Sequence, residues 1–202
     1  MTINLCFVGD GPRDKAAVPR LVERILNTPV VAIEFEAWKN LHLRGSGRGL
    51  AKKLLYMLIR ARDRGAMGLV ATLDADKADR GERLGELKAT RDKDREKGRI
   101  MPAALGEAVP HLEAWLLDDD VAVRSAFDFA PDTQIEAPTK VKSPKETLDK
   151  YHTASKTTKA VVETLAEIAA NLAVTHCARS GHTGFHAFCE EVNRELAPLC
   201  VD

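Results

Sequence analysis

Three acidic residues stand directly after apolar runs that read as buried strands. Asp10 follows residues 3–8 and Gly9, while Asp74 and Asp76 follow residues 67–73 with only Ala75 between them. In an open parallel sheet the loops after the strands converge on one rim, so three carboxylates from distant parts of the chain are expected to meet there. Left uncompensated they would repel one another. A divalent ion removes that repulsion and supplies charge for binding phosphate oxygens. An all-oxygen donor set suits Mg²⁺ or Mn²⁺. The competing use of Asp74-Ala75-Asp76 is a solvated helix cap ahead of Gly81; placement after a buried strand, with a second acid after the first strand, favours the metal. Glu113 is a fourth candidate, because Leu116 and Leu117 lie three and four residues on, along an apolar helix face. A carboxylate there needs a partner, either a metal or a buried Arg or Lys.

The elements that must position these acids are legible in the periodicity. Residues 3–8 end in Gly9-Asp10-Gly11-Pro12, the punctuation of a strand closing in a tight turn. Val18, Leu21, Val22, Ile25 and Leu26 give the stripe of a helix packed on a sheet, predicted to begin near Ala16, one turn before Pro19. A second β-rich run covers residues 30–35, a helix follows with Leu50, Leu54, Leu55, Leu58 and Ile59, and residues 67–73 are a third strand covered on both faces. Residues 82–97 read as a charged outer helix whose apolar stripe is only Leu84 and Leu87. Residues 100–105 are predicted as a fourth strand, after which Pro110 opens a helix. The expected fold is therefore α/β, a mostly parallel sheet of about four strands flanked by helices. Its core covers residues 1–130, and residues 131–202 form a helical extension packed on it, with Ser143-Pro144-Lys145-Glu146 as a capping box and helices over about 144–151, 158–174 and 184–196.

Four of these stretches, in order, resemble a known family. Gly9-Asp-Gly-Pro-Arg-Asp14 after its strand, Leu73-Asp-Ala-Asp76, His111-Leu-Glu-Ala-Trp-Leu-Leu-Asp118 and Ser143-Pro-Lys-Glu146 together look like the Toprim-like bacterial proteins of unknown function related to OLD-family nucleases. The similarity runs over about residues 3–195, with Thr183-Gly-Phe-His-Ala-Phe188 as a loose match to a late aromatic element. It implies a Toprim-like, Rossmann-like fold, Mg²⁺ or Mn²⁺ as cofactor, and metal-dependent cutting of phosphodiester bonds in DNA or RNA, with an ATPase partner in phage defence or DNA repair. Asp10 would stand where the family has a glutamate, one methylene longer, with Asp74 and Asp76 as its DxD pair, Asp14 as the second acid of the first motif and Glu113 as the glutamate before tryptophan. The same resemblance admits a module without catalysis that binds nucleic acid or an ATPase, and it admits a homodimer. Hydrolysis of a small phosphate ester would use the same acids.

In the nuclease reading Asp74 and Asp76 hold the ion, Asp10 orients or deprotonates water and Glu113 helps bind a second ion. Lys145 faces the transition-state phosphate, unless it is simply a surface lysine. A basic excess between Lys39 and Arg64 faces Asp63 alone in the sequence. Within it Arg44, Arg48, Lys52 and Lys53 would track a nucleic-acid backbone or form a solvated face. His176, Cys177, His182, His186 and Cys189 invite a zinc reading, but the spacing is poor and such residues serve more often as core or surface fillers.

Bulk properties exclude several classes. In 202 residues, 30 basic side chains balance 30 acidic ones, so no global field draws the chain to nucleic acid or membrane. With 45% apolar and 30% charged residues, an ordinary folded core is expected. Four cysteines without a CxxC pair suit reduced thiols. No stretch approaches a membrane span and the N-terminal run is too short for a signal peptide, so a soluble, cytoplasmic protein is expected.

Overall fold

The computed structural model describes residues 1–42, 49–75, 81–177 and 182–201. Four strands, β1 (Ile3–Gly9), β2 (Val30–Ala37), β3 (Gly68–Asp74) and β4 (Ala103–Ala108), form one parallel sheet in the order β2-β1-β3-β4. The helices are α1 (Pro12–Leu26), α2 (Leu50–Asp63), α3 (Glu82–Glu96), α4 (Leu112–Leu117), α5 (Asp120–Ala126), α6 (Pro144–Ala154), α7 (Val161–Asn171), α8 (Val174–Cys177) and α9 (Phe185–Leu196), with short 3₁₀ turns at Trp38–Asn40 and Ala197–Cys200.

Side chains alternate across the sheet. Ile3, Leu5, Phe7 and Val70 face one side, where α1 (Val18, Leu21, Val22), α7 (Leu165, Ile168) and α9 (Phe185, Phe188, Val192) cover them. Cys6, Val8, Leu69, Ala71 and Leu73 face the other, under α2 (Leu54, Met57, Leu58) and Leu87 of α3. That double covering is why β1, β3 and β4 are almost continuously buried. Chain winding reverses between β1 and β3. The crevice outside their carboxyl ends is thus the topological switch point, where open α/β sheets bind ligands.

The structure shifts several predicted boundaries. α1 begins at Pro12 rather than near Ala16, because proline at the first helical position fits without an N–H; Pro19 lies inside the helix, where it forgoes only one backbone bond. β4 begins at Ala103 rather than at residue 100. Pro102 has no N–H for a ladder and serves as acceptor for Leu69 N at 2.9 Å, while Ile100 is 79% exposed. Pro110 does not open α4; His111 is the cap and Leu112 the first helical residue. α3 is not a wholly outer helix, because Arg91 and Asp94 are buried on it beside Leu87. Arg91 pairs with Glu191 and Glu195 of α9, and Asp94 with Arg62 of α2. Buried ion pairs complete a face too thin in apolar residues.

Residues before and after 130 share one core cluster. Cys6 and Cys189 are buried free thiols and Cys200 is half-buried. Among the described residues no helix is long and apolar enough to cross a membrane.

Candidate functional site

At the switch point the chain leaves β1 through Gly9 and Asp10 and enters α1 at Pro12. Asp14, in the first turn of α1, turns back toward the sheet and accepts hydrogen bonds from Asp10 N (3.1 Å) and Thr72 Oγ1 (3.0 Å). This packing requires glycine at position 9. A Cβ there would lie 2.5 Å from Asp14 Oδ2 and 2.9 Å from Thr72 Oγ1. On the neighbouring strand, Asp74 N donates to Asp10 Oδ2 at 2.7 Å. Asp74 in turn accepts from Leu112 N at 3.1 Å through Oδ1, and its Oδ2 lies 3.3 Å from His111 Nδ1. The ends of β1 and β3 and the start of α4 are therefore tied together by carboxylates, with the first turn of a helix aimed at one of them.

Burial and mutual repulsion shape this cluster. Desolvation, with the neighbouring Asp14, Asp10 and Glu113 charges, pushes the Asp74 carboxyl up to about 8, against the lowering effect of the Leu112 hydrogen bond. Burial likewise pushes Asp14 up to about 6, with its hydrogen bonds from Asp10 and Thr72 opposing the shift. Four acids are crowded here, and among the described residues the Arg13 guanidinium pairs with one of them. Arg13 Nη1 contacts Glu113 Oε1 at 2.7 Å and its Nη2 contacts Asp149 Oδ1 of α6 at 2.6 Å. Of the two partners open to Glu113 in the sequence, the structure supplies the arginine. Around the acids lies a cleft of about 480 Å³ that is also lined by Lys39, Lys145, Val161 and Val162.

The sequence-predicted residues fare unequally. Asp10, Asp74, Glu113 and Lys145 share this one cleft. Asp76, Arg44 and Arg48 lie outside the described residues. Lys52 is exposed on α2, whereas Lys53 Nζ donates to Trp38 O at 2.5 Å. The basic excess that faces only Asp63 in the sequence meets further acids in space: Arg60 pairs with Glu34 and Glu36, Arg62 with Asp94, and Arg64 with Glu34. The zinc grouping does not assemble among the described residues. Cys189 is in the core, and His186 faces Glu190 at 3.2 Å from an exposed position; the side chains of His176 and Cys177 are outside the described set.

Sequence reasoning passed over Arg13 and His111 as site residues. The Arg13–Glu113 pair spans 100 positions, so nothing local signals it. His111 could have been found as the residue preceding the first turn of α4, at a strand-to-helix junction on the same rim.

Comparison with protein-family models, curated proteins and solved structures finds no match for this chain. Crowded carboxyl groups, two of them held in the protonated direction by burial and each other, fit a hard cation, which would relieve the repulsion. Asp74 is the described residue that would hold it, with Asp10 beside it. As they stand, no three described His, Cys, Asp or Glu side chains converge as a ligand set.

Proposed function

We propose that this chain is a metal-dependent phosphodiester hydrolase, a nuclease of Toprim type. The observation that carries the reading is the 2.7 Å bond from Asp74 N to Asp10 Oδ2. It supports acids from two adjacent parallel strands meeting at the switch point, beside a carboxyl group displaced to about 8. A strongly perturbed carboxyl in a cleft is a candidate for a functional site.

Asp74, with Asp76 two positions on in the sequence, would hold Mg²⁺ or Mn²⁺ against the phosphate. When bound, the ion supplies Lewis-acid charge to a phosphate oxygen. Asp10 takes a proton from the attacking water as the water oxygen bonds to phosphorus and the ester P–O bond breaks, the departing oxygen taking up a proton from solvent. Lys145 and Lys39, on the cleft walls, face the negative charge that develops on the phosphoryl group. Arg13 holds Glu113 and Asp149 apart from the reacting atoms and fixes α6, and hence Lys145, against the cleft. The resemblance extends this reading to an ATPase partner in phage defence or DNA repair and to a cytoplasmic setting.

The second reading, a module without catalysis that binds nucleic acid or an ATPase, draws on the engagement of Glu113 by Arg13. Incubating the purified protein with single-stranded and duplex DNA and RNA in Mg²⁺ or Mn²⁺ separates the two. Cleavage by the wild type that falls at least about a hundredfold in Asp74→Ala and in Asp10→Ala is expected. Absence of cleavage, or equal cleavage by these variants, rejects the hydrolase.

A further inference from the structure

The cleft differs from the surface a duplex would need, and its lining says what fits. Its volume of about 480 Å³ lies within the roughly 300–1,000 Å³ typical of small-molecule clefts, whereas specific duplex recognition covers on the order of 1,000–2,500 Å² of protein. A protein that tracks a duplex also sets several cations against successive phosphates. Here Arg60, Arg62 and Arg64 are held by Glu34, Glu36 and Asp94, and Arg13 by Glu113 and Asp149. Lys39 and Lys145 line the cleft without a hydrogen bond or ion pair among the described residues. Among the described residues of the cleft, these two cations suit one phosphate. Beside them the first turn of α7 brings Val161 and Val162 to the cleft wall, both half-buried. Val161 rests partly on the core, while Val162 belongs to neither core cluster and lines the same cleft as the acids.

We infer that the cleft binds a single nucleotide unit, with its phosphate between Lys39 and Lys145 and its nucleoside against Val161 and Val162. This rests on the phosphodiesterase reading and narrows it: the substrate is a compact phosphodiester or the end of a strand rather than the interior of a continuous polymer. Both sources share one chemistry, a nucleoside carrying one phosphate.

Binding measured by calorimetry with Mg²⁺ tests this apart from cleavage. The probes are thymidine 5′- and 3′-monophosphate, inorganic phosphate, a short linear single strand and its circularised form. One of the two monophosphates is expected to bind at least about tenfold more tightly than phosphate, and Val162→Asn to weaken it about tenfold, the worth of one buried valine, while leaving phosphate binding unchanged. A linear strand bound at least tenfold more tightly than the circle assigns strand ends as a source; monophosphate binding without any strand binding assigns the small ester. Binding of both monophosphates no tighter than phosphate, indifference to Val162→Asn, or a circle bound as tightly as the linear strand overturns the inference. If Asp74-dependent cleavage occurs in a protein that fails these tests, the hydrolase stands without the nucleotide subsite. If the tests succeed in a protein that cuts nothing, the subsite stands without the hydrolase.

Discussion

Asp14 and Asp74 set an unusual pH dependence. Their carboxyl groups lie at about 6 and about 8 in the folded protein, against an ordinary 3.8. Between these limits the folded chain holds protons that the unfolded chain has released, so the stability from these two groups is fully present below about pH 4 and is lost as pH rises through 6 and then 8. Metal-free protein is therefore expected to melt at a lower temperature at pH 8 than at pH 6, and Mg²⁺ to restore the difference, because the ion binds the ionised carboxylates. Melting curves across this range with and without Mg²⁺ check both statements; an identical metal response at each pH speaks against a cation among these acids. Arg13 makes a second residue-scale prediction. Arg13→Gln strips the partner from Glu113, whose side chain is only 4% exposed, and is expected to cost about 3 kcal/mol. Adding Glu113→Gln should recover most of that loss, as a double-mutant cycle in urea would measure.

At the scale of elements, α3 and α9 are joined by charge where most helices here are joined by apolar stripes. Arg91 contacts Glu191, Glu195 and the Ala103 carbonyl, while Arg95 reaches Glu195 and Arg194 reaches Glu191. Burial alone would push the Glu195 carboxyl up; the Arg95 hydrogen bond and the Arg91 and Arg95 charges outweigh it and hold the group below its ordinary range. Its stabilising contribution is present above about pH 4.5 and lost as pH falls through the lowered value, opposite in sign to that of Asp74. Arg91→Ala, which strips Glu191 of its buried partner and leaves it only the outer Arg194 and Lys88, is expected to destabilise the chain by about 3 kcal/mol in chemical denaturation, and Arg91→Met by less than Arg91→Ala. Close backbone approach also constrains the elements. A Cβ at Gly106 of β4 would meet the Phe188 ring of α9 at 2.4 Å, so Gly106→Ala must displace that ring from its place against Trp115.

For the whole molecule, the late helices are structural members. α7 and α9 cover the sheet face of Ile3, Leu5 and Phe7 together with α1, and Trp115 stacks on Phe188 with centroids 4.8 Å apart. A chain ending at residue 142 would leave that apolar face open to water. It is expected to lack a cooperative melting transition and to bind a hydrophobic dye, whereas the full chain melts cooperatively. The site would suffer with it, since Lys145, Val161 and Val162 come from the removed segment.

The order of strands and helices, the parallel sheet and the rim position of Asp10 and Asp74 were determined by local pattern, because apolar runs, glycine turns and helical stripes each report over a few residues. Helix starts and the fourth strand were misplaced where proline acted on one backbone group at a time, as at Pro12 and Pro102. What joined Arg13 to Glu113, Arg91 to Glu191, or Arg62 to Asp94 was decided only in the tertiary structure. An ion pair across dozens of positions leaves no periodic trace, and a charged helix such as α3 reads as an outer one until its partners are in place. Likewise the sheet order, with its reversal between β1 and β3, follows from how the two helical layers bury the sheet, and that reversal brings the acids onto a common crevice.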